Sequence, residues 1–345
     1  MPCRRPLHLA CSLLLGLLIA PLLHASALTT TLIELPGQAQ GSVLATRDGF
    51  LLSWIDREAD HAALRFAELD RDGAILRRGE VARGSGWFIN WADFPSLVIA
   101  DNGDWLGFVL VKSDPSKPYA YDIHTTRSTD AGHTWSPLAV LHDDGTTTEH
   151  GFVSLLPDGG DRILAVWLDG RHTRSEGGHD GHDHGGAHTA LHTAVLTRNG
   201  IVERQELDDL TCDCCRIALA RGPEGPVAVY RDRTRGEIRD IFAVTRDAQG
   251  WSEPKPLPAD QWKMPGCPVN GPALVPQGQG LLAAWPTQIN GMPTLRLARL
   301  NLDTWQALPE LDRGNDMLGR VDLAPWAKDT TLAVWLGSTE AGTAL

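Results

Sequence analysis

Ser128-Thr129-Asp130-Ala131-Gly132-His133-Thr134-Trp135 is the stretch on which the fold reading turns. Each residue type suits a tight turn. The Asp130 carboxylate can accept from nearby backbone N–H groups, Gly132 supplies a position with φ > 0, and Trp135 is wide enough to cover the turn. Asp130 is therefore expected to be the acceptor of a buried bonding network, a structural role with no chemistry on a substrate.

The pattern S-x-D-x-G-x-T-W resembles the Asp-box (BNR) repeat of the bacterial sialidase superfamily. There it forms the turn between the two outer strands of a β-propeller blade. The resemblance implies a propeller; it does not by itself imply an enzyme, because a site must be argued separately from its fold.

Outward from that turn the chain repeats. Apolar strands ending in an aromatic recur as Leu51-Leu52-Ser53-Trp54, Leu106-Gly107-Phe108, Ala165-Val166-Trp167, Ala228-Val229-Tyr230, Ala283-Ala284-Trp285 and Ala333-Val334-Trp335. Their spacing of 50 to 63 residues suits a four-stranded blade with its loops, and a fixed period is itself a sign of a repeat architecture. Strands that alternate with period two, such as Leu64 to Leu69, follow the aromatic strands. Turns come next: Asp72-Gly73, Ser128–Trp135, Asn199-Gly200 and the partial copy Asp247–Trp251. The expected fold is all-β, a six-bladed propeller of four-stranded antiparallel blades over residues 28–345. Thr29 to Leu35 is expected to close the ring as an outer strand of the last blade, removing a free sheet edge. The sixth unit is short of a full third strand before Leu345. Six blades with an incomplete closing blade is the preferred reading; a longer chain with a seventh blade is the alternative.

Residues 1–27 carry Arg4 and Arg5, an apolar run from Leu13 to Leu23, and Ala25-Ser26-Ala27, the layout of a secretory signal peptide. Export to the periplasm or beyond is expected, without membrane insertion of the remaining chain, which has no further long apolar run. The formal charge of −12 and the lack of a basic run argue against nucleic acid or an anionic membrane surface as partner. An acidic ligand would need a local basic pocket.

In propellers of the resembled type, the loops entering each inner strand and those joining second to third strands share one face. On that phasing Asp93, Glu149, Arg171, Arg231, Asp232, Glu237, Arg239 and Arg320 surround one axial cavity. Arg171, Arg231, Arg239 and Arg320 offer forks for the carboxylate of an acidic sugar or glycan. Asp93, Glu149, Asp232 and Glu237 are the candidate acid and base groups of a glycoside hydrolase, provided burial or a like charge raises a pKa. Two features depart from the sialidase pattern. No Tyr follows Tyr230, which occupies a packing slot, and the first inner strand, Gly41-Ser42-Val43-Leu44-Ala45, lacks the expected Arg. The span from Asn90 to Pro272, with Cys-Asp-Cys-Cys, Tyr-Arg-Asp-Arg and Cys-Pro-Val-Asn-Gly-Pro, is similar to a bacterial group of exported sialidase-like proteins; that likeness brings no reaction with it.

Of the six cysteines, Cys3 and Cys11 fall in the leader. Cys212, Cys214, Cys215 and Cys267 remain, and a bridge from Cys267 to Cys214 or Cys215 would close a loop of about 50 residues, stabilising by about 4 kcal/mol in the chain-entropy picture. The alternative is a soft-metal thiolate site for copper or zinc using Cys212, Cys214, Cys215 or Cys267 with a nearby His150. His179, His182 and His184, in a Gly- and His-rich tract, are further candidate metal ligands. A metal-handling or protein-interaction propeller is thus the alternative function.

Overall fold

The computed structural model describes residues 39–173, 188–327, 329–340 and 342–345. They fold as six small antiparallel sheets set in a ring, a six-bladed β-propeller with no helix among the described residues. Blade one comprises Ala39–Ala45, Gly49–Arg57, Ala62–Asp70 and Ile75–Gly84; blade two, Leu97–Ile99, Trp105–Lys112, Tyr121–Ser128 and Ala139–Val140. Blade three comprises His150–Pro157, Ile163–Asp169, Thr189–Thr197 and Gly200–Thr211. Blade four has Ala218–Arg221, Pro226–Arg231 and Ile241–Asp247, with an outer strand split into Gly250–Trp251 and Lys255–Pro256. Blade five has Ala273–Gln277, Gly280–Ile289 and Met292–Asn301, its outer strand likewise split into Thr304–Ala307 and Asp312–Arg313. Blade six holds Met317–Ala327, Thr330–Thr339 and the short Gly342–Ala344, so its third strand is the abbreviated one anticipated above. The proposed leader, the closing strand over Thr29 to Leu35, and His179, His182 and His184 lie outside the described residues.

Every blade is a meander in which neighbours in sequence are neighbours in the sheet. The six aromatics of the repeat all fall on second strands; Trp54, Phe108, Trp167, Tyr230 and Trp285 are buried, and Trp335 of blade six is part-exposed. Five apolar clusters lie between consecutive blades. Leu64, Phe66 and Leu51 of blade one pack with Trp105 and Val109 of blade two. Phe108 and Tyr121 meet Trp167 of blade three, and Val166 meets Tyr230 of blade four. Val229 meets Trp285 of blade five, and Ala284 meets Val321 of blade six. Each of these large side chains contributes about 1.5–3 kcal/mol by leaving water, which is why an aromatic every blade suffices to fix the repeat.

The Ser128–Trp135 turn joins the third and fourth strands of blade two, the expected phase. Asp130 accepts from the Thr134 N–H at 2.8 Å, the Thr134 hydroxyl at 2.6 Å and the Ser128 hydroxyl at 2.7 Å. These bonds, led by the Thr134 hydroxyl, hold its carboxyl below the usual range. One expectation needs correcting: Asp130 is exposed, and the buried member is Ser128, whose oxygen also accepts the Gly132 N–H at 2.8 Å. Gly132 has φ 80°, and a Cβ there would stand 3.0 Å from the Trp105 ring. The turn demands glycine on both counts.

The inner strands share a device that the sequence did not disclose. Gln40, Phe152 and Arg320 have φ of 56°, 54° and 57°, and each sits where the pairing of its inner strand slips. A left-handed residue inside a bulge turns the strand entry and re-aims its side chains. The polar groups at those entries owe their direction to it.

Candidate functional site

The charged groups expected at the strand entries and second-to-third loops differ in how far their bonding capacity is already engaged. Arg231 is engaged. It is 1% exposed, and its guanidinium donates to the carbonyls of Asn270 (3.0 and 2.8 Å), Pro286 (2.7 Å) and Arg239 (2.6 Å). Arg171 grips Asp169 through two bonds of 2.9 Å and lies 3.6 Å from Asp143. Glu237 is shared between Arg233 at 2.7 Å and Arg239 at 2.9 Å, whose bonds and charges outweigh burial and lower its pKa. Asp232 is buried beside Asp208, which accepts the Tyr230 hydroxyl; burial first and the Asp208 charge second push Asp232 up to about 7.

The remaining groups form a connected polar arc. Asp93 is 2% exposed and accepts the Phe152 N–H at 2.7 Å; burial lifts it to about 7, that bond partly opposing. Glu149 accepts the Tyr121 hydroxyl at 2.8 Å. Its removal from water, with the charges of Asp213 and Asp93 added, raises it to about 8 against the pull of that bond. Asp213 in turn lies 3.6 Å from Arg239. Asp93 and Glu149 are thus two buried carboxyls whose pKa values burial raises toward neutrality, the direction a general acid needs.

Arg320 closes the arc from blade six. Its guanidinium lies 4.2 Å over the ring of Trp91, which is 67% exposed, and its backbone N–H is held by Asn270 at 3.0 Å. One of its Nη atoms is buried without a hydrogen-bond partner. Burial first, then Arg216, push the Arg320 pKa down, with Cys215 partly opposing. This is the cation of the arc that gains most from an arriving anion.

The sulfurs occupy the blade-four entry. Cys214 and Cys267 form a disulfide across 53 residues, with Cα atoms 6.1 Å apart. That selects Cys214 over Cys215 as the partner of Cys267 and leaves Cys212 and Cys215 as the thiols of the group. Cys212 and Cys215 are buried and free, their sulfurs 3.1 Å apart, and Arg239 Nη1 donates to Cys212 at 3.1 Å. Burial pushes the Cys212 thiol up, but the bond from Cys215 and the Arg239 charge outweigh it and bring it to about 7. His150 stands in a different cluster, with His142 and three aspartates, and not in the sulfur set.

Sequence reasoning missed Tyr121, Trp91 and Asp213 as members of the site. Tyr121 starts the third strand of blade two, so its phase was readable; its pairing with Glu149 was not. Its phenol is fully buried, stacked on Phe88 at 4.0 Å, and its pKa is raised by burial and by Glu149, so it serves as a donor to that carboxyl and not as an ionised nucleophile.

No protein-family model matches the chain, and neither does any curated protein. Solved structures do resemble it. The α-L-arabinofuranosidase Arb93A of Fusarium graminearum superposes with a TM-score of 0.51 at 14% identity, covering 87% of this chain and 88% of that chain. A PL25 ulvan lyase superposes with a TM-score of 0.50 at 11% identity, covering 82% and 71%. The Hadza microbial sialidase Hz136 aligns at 0.46 and 16% identity, covering 76% and 57%. The likenesses to the arabinofuranosidase and the lyase support the propeller fold and leave the chemistry to the residues.

Proposed function

We propose that the chain is a glycan-recognising propeller whose axial face receives an acidic sugar, with the sugar face on Trp91 and its carboxylate on Arg320. The observation that carries this reading is the pairing of an exposed tryptophan with a guanidinium that keeps a buried, unpartnered N–H. An aromatic ring offers a flat apolar platform to sugar C–H groups, and an arginine fork matches a carboxylate. Asp93 and Glu149, protonated near neutrality, complete the set by donating to ligand oxygens; a protonated Glu149 is also the group that would assist a leaving glycosidic oxygen. The fold neighbours named above include enzymes acting on arabinose-containing and ulvan glycans by their names, which supports a sugar ligand in general. We infer export as well, from the leader pattern over residues 1–27, so the glycan would be met outside the cytoplasm.

The test is calorimetric binding of sialic and uronic acids against their neutral counterparts. Arg320→Ala should weaken binding of the acidic sugars by about 10- to 100-fold, the value of one charge-assisted bidentate contact, and leave the fold intact. Equal binding of neutral and acidic sugars, or no sugar binding at all, would sink the proposal. Fluorogenic sialoside turnover that disappears in Glu149→Gln while binding persists would extend the function from recognition to hydrolysis.

A further inference from the structure

Four sulfurs crowd the entry to blade four, and only two of them are joined. Four cysteines used purely as staples would form two bridges. Here the Cys214–Cys267 disulfide stands beside the Cys212–Cys215 dithiol, whose sulfurs lie 3.1 Å apart. The set runs from the surface inward. Cys267 is exposed, Cys214 is part-buried, and Cys212 and Cys215 are buried at 0% and 1% exposure. Cys212 Sγ lies 3.8 Å from Cys214 Sγ, so the inner sulfur of the bridge is in contact with a thiol.

The surroundings favour a negative sulfur at Cys212. Arg239, 2% exposed, donates to it from Nη1 at 3.1 Å, and its Nε is buried without a hydrogen-bond partner. Arg231 spends its donors on carbonyls, which carry no charge to balance its own. Burial opposes an ionised Cys212 most, and Asp213 adds to it; the Cys215 bond and the charges of Arg239 and Arg231 outweigh both. Cys215 keeps its proton, burial being the main cause. A thiolate is the species that attacks a disulfide, and exposed disulfides are the labile ones. The Cys267 segment does not depend on its bridge for position. The Asn270 carbonyl accepts from Arg231 at 3.0 and 2.8 Å, and the Met264 N–H donates to the Glu237 carbonyl at 2.8 Å. These bonds hold the chain on both sides of Cys267 when the bridge opens.

We propose that the four cysteines form a thiol–disulfide exchange site, in which Cys212 is the inner nucleophile and Cys267 the sulfur presented to an external disulfide. The Cys212 thiolate attacks Cys214 Sγ. The Cys212–Cys214 bond forms, the Cys214–Cys267 bond breaks, and the electron pair leaves with Cys267, which is exposed and takes from water the proton that Cys212 gave up. Cys215 then attacks Cys212 Sγ, forming Cys212–Cys215, and its proton passes to the departing Cys214. Each step replaces one disulfide by another and leaves two thiols, so neither needs an added oxidant or reductant. The freed Cys267, once ionised, attacks an external disulfide, giving a mixed disulfide on Cys267 and one external thiolate. This activity is independent of the acidic-sugar reading.

The experiment uses the full chain, kept free of reductant. It is incubated at neutral pH with oxidised glutathione and quenched with acid, and its sulfur pairs are mapped by mass spectrometry of peptides. Glutathione is expected on Cys267, in molecules whose remaining bridge is Cys212–Cys214 or Cys212–Cys215. Cys212→Ser should slow the modification of Cys267 by about tenfold or more, because the attacking thiolate is gone. Cys215→Ser should keep the modification, with the bridge held at Cys212–Cys214. Where Cys212→Ser does not fold, the bridge maps of the parent and of Cys215→Ser decide. Cys267 that stays joined to Cys214 throughout, glutathione on Cys267 while Cys212 and Cys215 are both still thiols, or equal modification in folded Cys212→Ser would each overturn the assignment.

Discussion

Replacing Arg231 by Met separates a structural clamp from a ligand contact. Arg231 ends the second strand of blade four, and its donors reach Asn270 and Pro286 of the blade-five region as well as Arg239 of its own loop. Trp262 lies against the guanidinium face at 4.9 Å. Met keeps the length of the stem and removes every donor, so three buried carbonyls lose charge-assisted bonds. Each such loss costs about 1–3 kcal/mol, and relief of the cation's own desolvation works in the opposite direction, leaving a net destabilisation of about 3–5 kcal/mol. Against a whole-domain stability of about 5–15 kcal/mol that is a large fraction. Urea denaturation followed by tryptophan fluorescence should show a lower midpoint with an unchanged slope, while acidic-sugar affinity of the folded fraction stays within about twofold, since one tenfold change would need about 1.4 kcal/mol of direct contact. A stability within about 1 kcal/mol of the parent would refute the clamp argument. Binding lost with stability intact would instead return Arg231 to the ligand site.

Three further outcomes follow from the same geometry. The buried Asp93 has its folded pKa raised to about 7 from an unfolded value near 4, so its neutral form is favoured in the fold. Its contribution is fully present below about pH 4 and is lost as pH rises through about 7, a fall of up to about 4 kcal/mol; Asp93→Asn should flatten the stability–pH curve across that window, and an unchanged curve would contradict its burial as a titrating group. Ser128→Ala removes the buried hydroxyl that serves Gly132 and Asp130, and should lower stability by about 1–2 kcal/mol in denaturant titrations without moving sugar affinity; loss of affinity would mean that the outer turn is coupled to the arc. Thiol counting in denaturant should rise by two on reduction, for Cys214 and Cys267, while Cys212 in the native protein should resist alkylation because its thiol is buried. Rapid native alkylation would show that the blade-four entry opens.

The propeller was legible because its cause is local. An aromatic ending an apolar strand every blade, and turn residues one strand later, are consequences of burial on both faces and of chain reversal, and both act within about ten residues. Phase also singled out Asp93, Glu149, Arg239 and Arg320 as candidates at strand entries and loops. What phase could not supply was who spends whose bonding capacity. Arg231 is consumed by carbonyls 39 and 55 residues away, and Arg171 by Asp169 two residues back, yet in sequence both look like any other loop arginine. The choice of Cys214 over Cys215 depends on which of two adjacent side chains points toward blade five. His142 escaped notice because it lies past a two-residue outer strand, where no periodicity announces a residue; only its stacking on His150 gives it meaning.

The sheet order has a consequence for how the molecule is made. Because the described strands pair within their own blades, each blade can form within about one repeat length of emerging from the ribosome, without waiting for distant chain. Adjacent blades can then close their shared apolar core in order of synthesis. The joint between blades four and five is different, since Arg231 must wait for Asn270 and Pro286, and Cys214 for Cys267. Translation arrested before residue 267 would therefore leave a chain whose first three blades are assembled and whose fourth still carries an open thiol and an unquenched guanidinium, the stage at which a chaperone has most to hold.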